Sequence, residues 1–568
     1  MSDNALWIIL QKLRTPLLVI IVTYSVAILG MVLIPGMDDN GNVYHLSFFD
    51  AFYFVSYMAS TIGFGEAPYT FTYEQRLWVS VCIYITVIGW FYGIGALVSA
   101  VTDKTLQFEM MRSKFKKQVK EIKSDFIIML GYTYVNVEII KKLHEANLEV
   151  VLIDKDEEKF NHFLLEEFYH DVPIMIANAL MADTLEDAGI LFPNCKAIVS
   201  LFEDEEKNLR VSILTKFLNP KVQVIAKSTF SDITKSIVDT DIAKVLNPFK
   251  IFAKRVDIAL ESPHVLVLEN WIYKNNDLMN KAMFLPKGKY IVCGYGRFGK
   301  SLKHKFDKHN LESVFIDAKR VAHREMVKSG KFIKASPDDK EVLLEAGIED
   351  AVGIIIGTDN DIDNLSIMIT AKKLNPNIYI IARENTMQEV SIFEAANIDW
   401  VFMIEKILIN KTSLVLSSPI KNKFLKLILQ KDEEWAERLV KLLRSRIGVN
   451  PILMTLKIDE EDSYAIYHEI LEGREVSVDV LLHSLSDWTK NNPAVPLLIS
   501  RKNEEILLPR NRILHIGDKV LFACNRYSKE EIELIASNVY EFYYALSGKE
   551  KESPILNKIF SIFKRGEN

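Results

Sequence analysis

Cysteine is scarce: Cys82, Cys195, Cys293 and Cys524 are spread over 568 positions with no CxxC pairing. That excludes a disulfide scaffold and a thiolate metal centre, so the four read as reduced core thiols and no metal ligand set is assigned. Positive charge is not in excess either, with 69 Lys and Arg against 75 Asp and Glu and a formal net charge of −6. No nucleic-acid partner is expected. GxSxG, HExxH and HxExxC-type clusters are absent and the 11 histidines are scattered. No catalytic set is visible, and the chain does not read as an enzyme. Its length excludes a single small domain.

Charge is also missing from one end. Charged residues make up 25% of the chain, yet residues 1–102 hold only Asp3, Lys12, Arg14, Asp38, Asp39, Asp50, Glu66, Glu74 and Arg76. A lipid-facing head is thus joined to a soluble body. Residues 17–34 and 77–102 carry no charge, and at about 1.5 Å per helical residue each is of the order of a bilayer core. Lys12 and Arg14 precede the first stretch, while Lys104, Arg112, Lys114, Lys116, Lys117, Lys120 and Lys123 follow the second. The bias of basic residues to cytoplasmic flanks places both termini inside, in a multi-pass protein of the plasma (inner) membrane.

Between the two stretches lies FFDAFYFVSYMAST (48–61), apolar, aromatic and too short to cross. It should enter the membrane as a short helix and return. Thr61, Ile62, Gly63, Phe64 and Gly65 follow. Glycines at alternate positions accept positive φ, which lets successive carbonyls face one side, and irregular backbone at this depth is tolerated where it lines a water-filled path. The segment resembles the potassium-channel filter Thr-Val-Gly-Tyr-Gly, and the order of span, short aromatic helix, filter, acidic residue and second span is similar too. The resemblance implies K+ as the permeant ion, carbonyls of Thr61, Ile62, Gly63 and Phe64 at the ion sites, and a homotetramer. Phe64 for Tyr removes a phenol, and Glu66 stands where Asp is usual, which bears on filter rigidity and inactivation. Gly89, Gly93 and Gly95 interrupt the second span. They read as packing glycines, with Gly93 also the gate-hinge candidate because it sits where related channels bend.

The body repeats itself. Strand-like KYIVC runs into Gly294-Tyr-Gly296-Arg297-Phe-Gly299, a helical stretch follows, and a second strand ends at Asp317. This is the dinucleotide pattern: a tight turn, close backbone approach to a diphosphate at a helix N-terminus, and an acid for the ribose. DFIIML, Gly131, a helix and LEVVLI ending at Asp154 repeat that order, with Thr133 and Asn136 replacing the second and third glycines. A Cβ at 133 and a larger side chain at 136 should weaken diphosphate binding there, so the second copy is the expected nucleotide site, while Gly131 and the retained Asp154 keep the first copy a candidate for an adenosine moiety. VQVIAK ending at Lys227 parallels IYIIAR ending at Arg383.

In motif order these repeats resemble the RCK domain, the regulator of potassium conductance. The resemblance implies phosphate contacts from Gly294, Gly296, Arg297 and Gly299, ribose contact from Asp317, and Arg383 beside the ligand. It also implies a ring of eight RCK units under a tetrameric pore. The expected architecture is an α-helical membrane pore of two spans plus a re-entrant pore helix (1–102) and a linker (103–124). Two Rossmann-like α/β RCK domains (125–288 and 289–449), a small α+β C-terminal lobe (450–526) and a helical tail (527–568) complete it. The expected function is a potassium channel gated by NAD or an adenine nucleotide (ADP or ATP). Ca2+ is a candidate regulator at the acidic runs 203–206, 359–363 and 459–462, although none has EF-hand spacing and solvated loops are the plainer reading. An RCK-regulated transporter and a membrane-anchored NAD-dependent oxidoreductase are the alternatives.

Overall fold

The computed structural model describes residues 3–159, 165, 172–274, 277–279, 282–319, 324–385, 393, 398–502 and 504–551. They fall into two compact units, Met1–Ile128 with Val151–Cys195, and Met129–Val150 with Lys196–Asn568.

In the first unit, α1 (Asp3–Leu33) runs on through Pro16, and a hairpin of β1 (Gly36–Met37) and β2 (Val43–Tyr44) leads to α2 (Phe48–Ala59). Ser47 starts α2 by accepting the Asp50 amide, and twelve residues make only about 18 Å of helix. Thr72 and Gln75 close a capping box at the start of α3 (Tyr73–Val101). Small residues bring α1 and α3 together: a Cβ at Gly30 would lie 2.1 Å from the Trp78 ring, and one at Gly93 would lie 2.5 Å from Ile20 Cδ1. Gly93 is thus a packing glycine within an unbroken helix. Both helices are long and apolar enough to cross a membrane, yet only 22% and 17% of their apolar windows are buried within the chain. Leu17, Ile21, Leu29, Ile88, Phe91 and Leu97 stand exposed. Such continuous apolar faces call for lipid or neighbouring subunits.

The linker is an ordered helix, α4 (Lys104–Glu121), capped by Asp103. Phe115 and Val119 are buried, a Cβ at Gly189 would lie 2.8 Å from Val119, and Arg112 and Lys116 both pair with Asp187. β3 (Phe126–Leu130) opens the first copy, and β4 (Glu149–Asp154) pairs in parallel with β5 (Ile174–Ile176).

The second unit holds α5 (Tyr134–His144) and the parallel strands β6 (Cys195–Ser200), β7 (Gln223–Lys227) and β8 (Lys244–Leu246), paired in that order. The second copy follows with β9 (Tyr290–Cys293), β10 (Ser313–Ile316), β11 (Phe332–Ile333), β12 (Gly353–Ile356), β13 (Tyr379–Glu384) and β14 (Trp400–Met403). Their order in the sheet is β11-β10-β9-β12-β13-β14, all parallel, the doubly wound arrangement. The pairings β4 with β5, β6 with β7 and β7 with β8 reproduce β10 with β11, β12 with β13 and β13 with β14.

Each copy ends in a helix pair broken at Ser-Pro: Pro248–Glu261 and Pro263–Ile272, then Ile404–Ser417 and Pro419–Ile428. The pairs are exchanged. Helix 248–261 of the first copy packs on helix 297–308 of the second through Phe252, Phe298 and Phe402, while Lys142 of α5 donates to Asn410 at 2.8 Å. Asp257 accepts from Lys305, Lys308 and His309 at 2.9, 3.0 and 2.6 Å. Burial alone would raise this carboxyl, but the three donors outweigh it and hold it at about 2. Its contribution is complete above the ordinary carboxylate range and is lost as pH falls from about 4 toward 2. Asp257→Asn should cost about 2 kcal/mol at neutral pH, read as a roughly thirtyfold faster amide exchange across 248–261 and 297–308. Unchanged exchange would show that the clamp contributes nothing.

The C-terminal lobe is an antiparallel sheet of β15 (Ile452–Lys457), β16 (Ala494–Arg501), β17 (Glu504–Leu507) and β18 (Lys519–Cys524), ordered β15-β18-β16-β17. Helices Arg526–Ser537 and Val539–Ser547 bury Ile532, Ile535, Phe542 and Ala545 in the same core as Phe522. The described part of the tail is therefore a layer of the lobe.

Candidate functional site

β9 leads to its neighbour β10 toward one edge of the sheet and β12 to β13 toward the other, and such a reversal leaves a crevice at the carboxyl ends of the strands. Gly294, Gly296, Arg297, Asp317, Thr358 and Arg383 line that cleft together. Gly294 has φ +106°, and a Cβ there would lie 3.0 Å from Gly357 O. Gly299 lies behind the loop: a Cβ would be 2.1 Å from Gly294 O, so the third glycine is needed for helix to meet strand. Gly296 heads helix Arg297–Lys308 without a side-chain cap, which leaves the first-turn amides for an anion. The Asp317 carboxylate accepts from Tyr295 N at 2.7 Å and Lys319 N at 2.9 Å, fixing it at the end of β10.

Arg383 comes from the end of β13. Burial pulls its guanidinium down to about 10, against the attraction of Asp359, Asp361 and Glu203 and with added repulsion from Arg297. Its Nε has no hydrogen-bond partner among the described residues, and the group lies 5.4 Å from the Phe249 ring centroid. Two cations therefore face an open cleft.

The sequence patterns missed part of this wall because the first copy supplies it. Phe249 opens the exchanged helix and lies 5.4 Å from Arg297, whose guanidinium also covers the Phe230 ring at 4.7 Å. Arg297 donates to Thr229 Oγ1 and lies 3.8 Å from Glu205 Oε1. Burial would raise Glu205, but bonds from Thr229, Phe230 and Ser228 prevail and lower it. A repeat of the Ser-Pro break, Ser262-Pro263 and Ser418-Pro419, was the available sign that the unit extends to these helices.

The first copy's glycine loop is closed by its own residues. Thr133 caps α5 by accepting Asn136 N at 3.3 Å, taking a first-turn amide that the second copy leaves open. Asn136 donates to Leu130 O at 3.0 Å and Gly131 O at 2.5 Å. Gly131 keeps φ +88°, but the Phe202 ring approaches within 3.1 Å of where its Cβ would be. Asp154 ends β4 and accepts the Asp156 amide at 2.8 Å.

In the pore segment, positive φ recurs at Thr61 (+62°), Gly63 (+65°) and Gly65 (+73°) with Ile62 and Phe64 between them. Ile62 N and Gly63 N both donate to Tyr57 O, at 3.1 and 3.2 Å, tying the segment to α2. Phe64 contributes no phenol, yet Tyr57 OH donates to Glu66 O at 2.6 Å and Tyr53 OH to Glu66 Oε2 at 3.0 Å. The longer acid and the tyrosines of α2 brace the end of the segment.

One carboxylate of each acidic run is engaged by the chain's own donors: Glu205 as above, Asp361 by Asn385 N at 2.9 Å, and Asp459 by Asp462 N at 2.9 Å. Asp257, Glu261 and His309 come within 4.8 Å of one another, but Lys305 and Lys308 already occupy Asp257. That donor set does not fit a divalent cation.

The TrkA-N domain family model matches residues 127–248 and 290–404, one match on each copy. Potassium channel protein 1 of Methanocaldococcus jannaschii is 41% identical over 99 residues, 16% of this chain and 29% of that protein. Probable potassium channel protein 2 of the same organism is 37% identical over 117 residues, 20% of this chain and 34% of that protein. The chain thus spans about a third or less of the length of these curated relatives. Among solved structures, the GsuK channel bound to NAD aligns with 94% of this chain and 99% of its own at 14% identity, with a TM-score of 0.47. The two Rossmann-like copies of this chain, which follow a pair of membrane-length helices in sequence, each match the TrkA-N domain model, and the chain shares sequence with potassium channel proteins.

Proposed function

We propose that this chain is the pore-forming subunit of a potassium channel gated by an adenine nucleotide. The observation that carries the reading is the alternation of positive φ at Thr61, Gly63 and Gly65, on an ordered short helix between two membrane-length helices. That backbone turns the carbonyls of Thr61, Ile62, Gly63 and Phe64 to one side, where they replace water around K+. One chain supplies one wall, so four chains form the pore and their eight TrkA-N copies form the ring beneath it, with both termini cytoplasmic. The kinship with potassium channel proteins supports the same reading.

The nucleotide, whether NAD, ADP or ATP, occupies the second copy, its phosphates at Gly294, Gly296 and Arg297 and its ribose at Asp317. Phosphate at Arg297 competes with Thr229 and Glu205 of the first copy, so occupancy changes how the two copies meet. A ligand shifts the gate only by its difference in affinity for the two ring shapes, typically about 1–3 kcal/mol per site. The ordered α4 carries that movement to α3, which bends near Gly93 and opens its contact with Ile20. The test is flux from potassium-loaded liposomes holding the full chain, with NAD, ADP, ATP and Ca2+ added in turn. A potassium flux that depends on one nucleotide is expected; impermeability to K+ under every effector overturns the reading.

A further inference from the structure

A second concavity in the body lies at the C-terminal end of α5, the end opposite Thr133. Its walls are the end of α5, the end of helix 263–272, helix 404–417, the Ser-Pro break after it, and β15. Three ammonium groups line it, Lys142, Lys274 and Lys421, against a single carboxylate, Glu145. None of the three lysines forms an ion pair among the described residues; Lys142 has only the neutral Asn410 oxygen at 2.8 Å. Burial, and then repulsion from Lys274, push Lys421 below the ordinary lysine range; burial does the same to Lys142 against the attraction of Glu138 and Glu145, with weaker repulsion from Lys406 and Lys274. Lysine is rarely withdrawn from water without a counter-charge.

Hydroxyls accompany the charge. Ser413 is 5% exposed, lines the cavity, and its Oγ has no hydrogen-bond partner among the described residues. Ser417, Ser418 and Thr455 add three more hydroxyls to the wall. Lys274 itself is held at φ +58°, a conformation a non-glycine residue takes at a cost, directly after helix 263–272 ends. The cavity, about 570 Å³, adjoins a second hollow that shares Lys274 and Lys421 and adds Asp277 together with Lys529 and Glu533, which pair with each other at 3.6 Å.

We propose that Lys142, Lys274, Lys421 and the unpartnered Ser413 hydroxyl form a second ligand site, for a small phosphate-bearing anion. Ammonium groups serve such a ligand as point charges, and hydroxyls donate to its oxygens. The walls come from both TrkA-N copies and the C-terminal lobe, so an anion here ties three parts of the second unit together. The site rests on neither the pore nor the nucleotide reading.

Pyrophosphate titrated by calorimetry into the full chain in detergent tests it, with Lys274→Gln/Lys421→Gln and, as the control for the glycine-loop cleft, Arg297→Gln. The lysine variant should lose at least tenfold in pyrophosphate affinity while Arg297→Gln retains a binding phase of wild-type affinity. Without pyrophosphate the lysine variant should melt no lower than the wild type, because it relieves repulsion. Pyrophosphate should then raise the melting temperature of the wild type and not of the variant, relative to sodium chloride at equal ionic strength. Wild-type affinity in the lysine variant, loss confined to Arg297→Gln, or no pyrophosphate binding at all would overturn the site.

Discussion

Gly63→Ala should give a chain that folds, assembles and passes no potassium. Gly63 sits at φ +65°, and a Cβ there would meet nothing within 4 Å. The substitution therefore crowds nothing within its own chain, where its effect falls on the backbone. An L-residue in this region costs about 1–2 kcal/mol, and in the proposed tetramer four copies would multiply that cost. Alanine relieves it by returning to negative φ, which swings a carbonyl out of the column and leaves a dehydrated K+ without a full set of oxygens. Liposome flux beside the elution volume of the detergent-solubilised protein separates the two effects. Lost flux with an unchanged assembly supports the filter, whereas wild-type flux refutes it. The ties from Ile62 N and Gly63 N to Tyr57 O, and from both tyrosines to Glu66, hold the ends of the segment while its middle changes.

Those ties also show where the sequence could be read and where it could not. Phe64 and Glu66 look, one at a time, like departures from a filter. In the fold Tyr57 and Tyr53, one and two helical turns before Thr61, bond the backbone and side chain of Glu66, and a motif comparison taken position by position does not reach that far. The glycine loop and Asp317 were legible because local backbone chemistry dictates each, a positive φ, a close approach and an acid at a strand end, whereas Arg383 came only through the resemblance to the RCK domain. Phe249, Glu205 and Thr229 were not, because they reach the cleft through an exchange of helices between the copies. Hydrophobic periodicity reports that helix 248–261 has a buried face and is silent on which helix covers it. The first copy's closure was half legible. Thr133 and Asn136 were expected to obstruct a diphosphate by bulk; Asn136 instead stands in for the missing glycine by bonding the loop carbonyls, and Thr133 takes the amide the ligand would need.

That contrast between the copies sets the second large effect. Asp317→Ala should weaken ADP or NAD by about 2 kcal/mol, roughly thirtyfold in Kd, the scale of hydrogen bonds to a charged group. The carboxylate is already oriented by Tyr295 N and Lys319 N, so a ribose hydroxyl would meet an acceptor whose position does not have to be found on binding. Asp317→Asn separates charge from shape: it keeps one oxygen for the loop amides and should fall between the two. Asp154→Ala, the equivalent change in the first copy, should leave affinity unaltered, because Thr133 caps α5 where the phosphates would have to sit. Calorimetry on the full chain decides among these. Wild-type affinity in Asp317→Ala would move the nucleotide elsewhere, and a loss in Asp154→Ala alone would assign it to the copy whose helix is already capped. Because Arg297 bridges the second copy's cleft to Thr229 and Glu205 of the first, a nucleotide that binds at Asp317 but leaves the gate unmoved would separate binding from gating at that one contact.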